Sequence, residues 1–211
     1  MREVLNLNFG WRFAPEFRQE YARNDFKDSA FRLVDIPHVM TDTPMNYVSE
    51  TPFQRIACYR KMFMLPKSMR GKRLVLHFDG VMGCAAVFVN GKPVCAHKGG
   101  YTPFSCEITD DITEVINDGE NLITVAVDST EREDTAPYGD MGDTLHFGGI
   151  YREVWLEAFE DIYVSDVRVV TRIDSDGKWV LDIAGRLSDK KEAEVRMYLY
   201  DGESALAGKF L

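Results

Sequence analysis

The sequence is poor in the residues that build metal centres and disulfide frameworks. It has four cysteines (Cys58, Cys84, Cys95 and Cys106) and four histidines in 211 residues. No two cysteines stand in C-x-x-C spacing, so a structural zinc site is not expected. Each cysteine lies in a strand-like segment beside apolar residues. That suits buried, reduced thiols and leaves a disulfide between neighbouring strands open. His38, His77, His97 and His146 are scattered without metal-ligand spacing and read as structural, with His146 set apart by the loop it occupies. A basic excess is missing too, since 25 Lys and Arg face 34 Asp and Glu for a formal charge of −9. Nucleic-acid backbones and anionic membranes require cationic patches, so neither is expected as a partner. No apolar run reaches the length of a membrane span. The N-terminus, Met1-Arg2-Glu3-Val4-Leu5, has no signal-peptide pattern, which makes a cytoplasmic location the expectation.

What remains is an ordinary globular composition, 45% hydrophobic and 28% charged. The length fits one large domain or two small ones, with enough chain to bury a core. The most informative stretch runs from Ser129 to Leu156. Two strand patterns flank about twenty residues without a period, and a loop of that length in a compact domain is usually functional or disordered. It holds Asp134, Asp140, Asp143, Tyr138, Phe147, His146, Pro137 and four glycines. That composition suits a surface for a polar ligand better than a core. A second irregular stretch covers residues 39–56 and contains Asn46, Pro44 and Pro52.

Elsewhere the pattern is β. Trp11 is a candidate core anchor. Residues 15–31 read as a polar loop with one helical turn, and Phe31 to Val34 as a short strand. Strands are expected at Cys58 to Leu65, Lys72 to Phe78, Cys84 to Val89, Lys92 to His97, Phe104 to Ile108, Asn121 to Asp128 and Ile150 to Phe159. Leu74, Leu76 and Phe78 should share the buried face of theirs. Asn90-Gly91 is a strong hairpin signal. Asp111-Ile112-Thr113-Glu114 has capping-box spacing for one brief helix. Short strands so spaced describe an antiparallel sandwich or jelly roll. After residue 160 a simpler β-meander follows. It resembles the opening strands of an immunoglobulin-like sandwich, which typically needs about seven strands and about 100 residues. The chain is therefore expected to be part of something longer, and the unpaired edges of the meander are expected to drive self-association.

Several blocks carry a family resemblance. They are Trp11-Arg12-Phe13, Asp35-Ile36-Pro37-His38, Phe78-Asp79-Gly80-Val81, Val87-Phe88-Val89-Asn90-Gly91-Lys92, His97-Lys98-Gly99-Gly100-Tyr101-Thr102-Pro103-Phe104 and Phe147-Gly148-Gly149-Ile150-Tyr151-Arg152. In this order they resemble the N-terminal sugar-binding domain of glycoside hydrolase family 2, the family of β-galactosidases, β-glucuronidases and β-mannosidases. The resemblance implies an all-β chain, with a jelly-roll sugar-binding domain over residues 1–160 and the N-terminal part of an immunoglobulin-like β-sandwich over 161–211. It also implies a retaining β-glycosidase whose two catalytic glutamates lie in a TIM barrel beyond this sequence. No residue here is assigned a catalytic role. The partners implied are a β-galactoside-like carbohydrate, the missing barrel and further copies in a homo-oligomer. No cofactor is certain; a monovalent or divalent cation near the substrate pocket of the full-length enzyme fits the resemblance.

Under that resemblance, Asp143 and Asp140 are the candidates to reach the sugar, since carboxylates accept charge-assisted hydrogen bonds from hydroxyls. Asn46 is a candidate for the substrate's outer rim, and His146 lies among them. Tyr101 and Phe104 read as an aromatic plug under the Gly-Gly turn rather than a stacking platform. Arg152, next to Glu153, reads as a salt-bridge partner bracing the loop rather than a ligand. Gly148-Gly149 should permit positive φ or a close backbone approach. The expected function is the non-catalytic part of a family-2 β-glycosidase, with β-galactosidase favoured over β-glucuronidase. An autonomous carbohydrate-binding module and a purely structural domain are the alternatives.

Overall fold

The computed structural model describes residues 2–42, 51–109, 115–136, 138, 147–189 and 193–210. The chain divides into two compact units, Met1–Phe159 and Glu160–Leu211. The strands of the first are β1 (Glu3–Asn6), β2 (Trp11–Ala14), β3 (Arg32–Val34), β4 (Ile56–Met64), β5 (Arg73–Phe78), β6 (Val81–Met82), β7 (Cys84–Val89), β8 (Lys92–Lys98), β9 (Phe104–Glu107), β10 (Glu120–Asp128), β11 (Gly149–Ile150) and β12 (Val154–Phe159). They form a six-stranded sheet in the order β3-β2-β4-β10-β7-β8, a four-stranded sheet β1-β12-β5-β9, and the pair β11-β6. The chain is all-β as expected, and its first unit is a sandwich of the two large sheets.

The core lies between the two large sheets because strand side chains alternate between faces. From β5, Leu74, Leu76 and Phe78 are buried in it, as their alternation required, and Ile123, Val125 and Val127 of β10 meet them. Each such side chain, fully buried, contributes about 1.5–3 kcal/mol of hydrophobic transfer energy. Trp11 is fully buried and donates its indole N–H to the Leu7 carbonyl at 2.6 Å.

β10 is buried on both faces because the six-stranded sheet is covered outside as well. Residues 15–31, with a 3₁₀ turn at Gln19–Ala22, fold back over it. Ala22 packs with Phe88 and Ala126, and Tyr21 packs with Ala14 and Cys58. Arg60 on β4 holds this cover from below. Only 3% exposed, it donates to Asp28 at 2.9 Å, to the carbonyls of Arg23 and Phe26 at 3.2 and 3.4 Å, and to the carbonyl of Tyr21. A buried guanidinium is tolerable only when its donors are satisfied in this way.

Asn90 and Gly91 make the two-residue β7–β8 turn with φ of 50° and 83°, the positive values that a type I′ turn requires. Asn90 Nδ2 also donates to Asn121 Oδ1 at 2.7 Å, joining the turn to the start of β10.

Several expectations need correction. The strand expected over residues 150–159 is interrupted at 151–153. β11 pairs with β6, whereas β12 pairs with β1 and β5, so the chain must change partners there. The break lets Tyr151 turn over Gly80, where a Cβ would stand 2.9 Å from the ring, and donate its hydroxyl to the Gly100 carbonyl at 2.6 Å. Arg152, expected to brace the loop through a salt bridge, sets its guanidinium over the Tyr151 ring instead, 5.2 Å from the centroid. The thiols also divide. Cys95 on β8 and Cys106 on β9, with Cα atoms 5.9 Å apart, form a disulfide. It joins edge strands of the two facing sheets. Cys58 and Cys84 are free, and burial pushes the Cys58 thiol up to about 12.

The expected plug is half right: Phe104 stacks between Phe78 and His97, while Tyr101 is exposed. The capping-box segment Asp111-Ile112-Thr113-Glu114 lies outside the described residues.

The second unit has β13 (Val164–Ile173), β14 (Trp179–Leu187), β15 (Arg196–Asp201) and β16 (Ser204–Phe210), paired as two separate hairpins instead of one continuous meander. The first turns on Asp174, whose carboxylate accepts the backbone N–H of Asp176 and Lys178 at 2.9 and 2.8 Å. Along β13–β14 the pairs Val169–Ile183 and Ile173–Trp179 share one face. Arg172 and Asp182 pair at 2.6 Å on the other.

Candidate functional site

The four residues that sequence reasoning assigned to sugar binding, Asp140, Asp143, His146 and Asn46, lie outside the described residues. What is described is the base from which both irregular stretches depart. Their ends are brought together from distant parts of the sequence. Phe53 and Phe147 meet edge to face at 5.7 Å. Thr41 donates to the Pro52 carbonyl at 2.9 Å, and the Glu131 N–H donates to Gln54 Oε1 at 2.9 Å. Ser129, fully buried at the end of β10, donates its N–H to the Arg55 carbonyl at 3.0 Å. Its hydroxyl lies within reach of the Arg55 carbonyl at 3.1 Å and of the Phe53 carbonyl.

Gly148 and Gly149 complete the base. Residues 36–40 run beside them, with His38 N–H donating to the Ile150 carbonyl at 2.8 Å and Met40 N–H to the Gly148 carbonyl at 3.0 Å. Gly148 has φ +58° and Gly149 φ +128°. A Cβ on Gly148 would stand 2.7 Å from Ser129 Oγ and 2.9 Å from Met40 Sδ; one on Gly149 would run into the His38 carbonyl oxygen. Both glycines are therefore needed for torsion and for space.

Beneath this turn His38 sits between Arg32 Nη2 and Tyr59 Oη, each 2.8 Å from a ring nitrogen. Burial, with the Arg32 charge acting in the same direction, pushes the imidazole down to about 4. Burial pushes the Tyr59 phenol up. Beside the base, Phe13, Tyr21, Phe31, Arg32, Met40 and Glu16 line much of a cleft of about 510 Å³, within the range of small-ligand sites.

Asp134, the remaining aspartate of the loop, is engaged elsewhere. It pairs with Lys98 of β8 and with Arg132 at 3.2 Å, and these bonds hold its carboxyl down to about 2. Tyr138 is exposed and reaches Glu133 at 3.4 Å. Among the described residues no group of three or more His, Cys, Asp or Glu is placed to hold a metal. Sequence reasoning passed over Arg32, Tyr59 and Ser129. Tyr59 and Ser129 follow ordinary strand patterns, and only the fold shows that they meet at one base.

Comparison with known proteins gives the family of the chain. The family described as "Glycosyl hydrolases family 2, sugar binding domain" matches residues 18–160. A β-galactosidase of Thermoanaerobacter pseudethanolicus is 43% identical over 171 residues, covering 80% of this chain and 22% of the relative. A β-glucuronidase of Bacteroides fragilis is 33% identical over 164 residues, covering 77% of this chain and 21% of the relative. The crystal structure of a Bacteroides uniformis β-glucuronidase superimposes with a TM-score of 0.84 at 26% identity, covering all of this chain and 26% of that one. The chain thus spans about a fifth to a quarter of the length of the relatives it matches.

Proposed function

This chain belongs to the glycosyl hydrolases of family 2, and from that membership we propose that its first unit buttresses a glycosidase active site and supplies one wall of the sugar pocket. One observation carries the reading. The two irregular stretches that sequence reasoning singled out for polar contacts share a single base, with Phe53 against Phe147 and Met40 bonded to Gly148. Asp143, Asp140, Asn46 and His146 are the proposed substrate contacts. A carboxylate there accepts hydrogen bonds from sugar hydroxyls and strengthens them through its charge. The chemistry itself, a double displacement by two glutamates, would be performed by a barrel outside this sequence. We assign the substrate as a β-galactoside, because the 43% identical relative is a β-galactosidase. The fold similarity to a β-glucuronidase supports a glucuronide as the second reading.

The test replaces the matching region of the T. pseudethanolicus β-galactosidase with this chain. The reading expects hydrolysis of β-galactosides to be retained, and Asp143→Asn and Asp140→Asn to raise KM or lower kcat. Full activity with both substitutions would overturn the pocket-wall assignment. Calorimetric titration of the chain alone with galactose, lactose and glucuronic acid addresses the autonomous binding module. Millimolar or tighter binding would favour that alternative, and silence would favour the pocket wall.

A further inference from the structure

The base of the site contains a device that no residue pattern announced. Arg32 of β3 donates from Nη2 to His38 Nε2 at 2.8 Å. A guanidinium carries donors only, so Nε2 must be an acceptor. His38 is therefore neutral, with its proton on Nδ1, and that nitrogen donates to Tyr59 Oη of β4 at 2.8 Å. Tyr59 Oη in turn is hydrogen-bonded to the backbone of Ile150. The backbone N–H of the same histidine donates to the Ile150 carbonyl. His38 thus grips one point of the turn twice, through its main chain directly and through its ring by way of Tyr59. Phe13 of β2 packs on the imidazole at 4.9 Å and under the Arg32 guanidinium at 5.3 Å.

We propose that neutral His38 is the positioning residue of this base: with Arg32 and Tyr59 it clasps residues 148–150, and its protonation opens the clasp and frees the ends of both irregular stretches. The clasp itself is independent of the proposed function; only its consequence for a sugar pocket rests on that reading. A proton on Nε2 would point at a guanidinium N–H, which replaces an attraction with a repulsion between like charges. Among the described residues, the charged and titratable groups facing the ring are Arg32 from β3, Tyr59 from β4 and Asp42 just downstream. Of these, only Asp42 favours the charged form. β2 contributes only the Phe13 ring, and residues 148–150 only backbone.

The sign follows from linkage. The closed state holds the imidazole near 4, below the usual value of 6.5. The clasp is at full strength above pH 6.5, weakens as pH falls through the window from 6.5 to about 4, and weakens no further below it. That gap caps the rise in the opening equilibrium at about 300-fold. Partial exposure of the ring reduces this to about tenfold or somewhat more.

Hydrogen exchange on the chain, corrected for the intrinsic pH dependence, tests it at the amides of His38, Met40 and Ile150. The expected result is protection that falls about tenfold or more between pH 7 and pH 4.5. In His38→Asn, which keeps a donor and an acceptor but does not titrate, the corrected protection should be flat. Protection in the unsubstituted chain that is flat with pH, or that falls equally in His38→Asn, overturns the proposal. If that variant does not fold, the imidazole nitrogen resonances of the unsubstituted chain decide. A neutral ring with its proton on Nδ1 at pH 6 supports the clasp, and an Nε2-protonated ring or a midpoint near 6.5 refutes it. No sugar enters either experiment, so failure here is distinct from failure of the glycosidase reading.

Discussion

Replacing Gly149 by alanine isolates the physical claim on which the base of the site depends. At φ +128° a residue with a Cβ occupies a region essentially reserved for glycine, at about 1–3 kcal/mol. The added Cβ would also meet the His38 carbonyl oxygen, Tyr59 Oη at 3.0 Å and Val39 Cα at 3.1 Å. Two of these atoms are backbone and the third is held by His38, so none can swing aside. Overfilling such a packed position costs about another 1–3 kcal/mol. The sum is about 4 kcal/mol, and at about 2–4 °C per kcal/mol for a domain of this size the midpoint should fall by about 8–16 °C. Gly71→Ala is the control. Its φ is +68°, but nothing lies within 4 Å of the added atom. It should lose only the left-handed penalty, about 1 kcal/mol or 2–4 °C. The assay is near-ultraviolet circular dichroism on heating, which reports the buried Trp11 and Tyr59, combined with limited proteolysis within residues 129–147. If Gly149→Ala melts within a few degrees of Gly71→Ala, with unchanged cleavage, the turn is not the fastening point described here.

Other perturbations probe the rest of the fold. Arg60→Met removes a buried cation that serves Asp28 and three carbonyls. It should cost about 3–5 kcal/mol, and early protease cleavage within residues 15–31 should reveal the loosened cover; cleavage elsewhere first would contradict its role. The Cys95–Cys106 link closes a short loop, since the two are 11 residues apart. Its reduction should lower stability by about 3 kcal/mol, measured as a shift in urea midpoint between reduced and unreduced samples, and an intact mass unchanged by reductant would refute the link. The exposed apolar face of β13–β14, with Val167, Val169, Ile173 and Trp179 at 77% exposure, should drive concentration-dependent self-association. Light scattering should show it weakened in Trp179→Glu, and a clean monomer at high concentration would dismiss it.

Much of the sandwich was legible because its signals are local. The alternation of Leu74, Leu76 and Phe78 sets which face of β5 is buried, since neighbouring side chains on a strand point to opposite sides. Asn90-Gly91 sets its own turn because those residues tolerate positive φ. The two glycines at 148 and 149 were legible as a requirement for unusual backbone, although not what they make room for. The break at 151–153 was not legible. Ile150 and Val154 on either side of it, and Tyr151 within it, fit a strand, and only the change of partner from β6 to β1 and β5 interrupts it. The cysteines show the same limit: their local settings are alike, and only the meeting of two sheet edges separates the bonded pair from the free ones.

The sequence by itself determined the strand periods, the hairpin turns, the family resemblance and the two stretches worth suspecting, because each depends on residues a few positions apart. The tertiary structure alone decided that those stretches share one base. Ser129 reaches Met40 across 89 residues, and Arg32, His38 and Tyr59 converge from β3, the segment after it and β4. Such contacts depend on which sheet edges and loop ends the packed core leaves side by side. No local pattern encodes that, because the hydrophobic force that assembles the core acts on buried area and not on order along the chain.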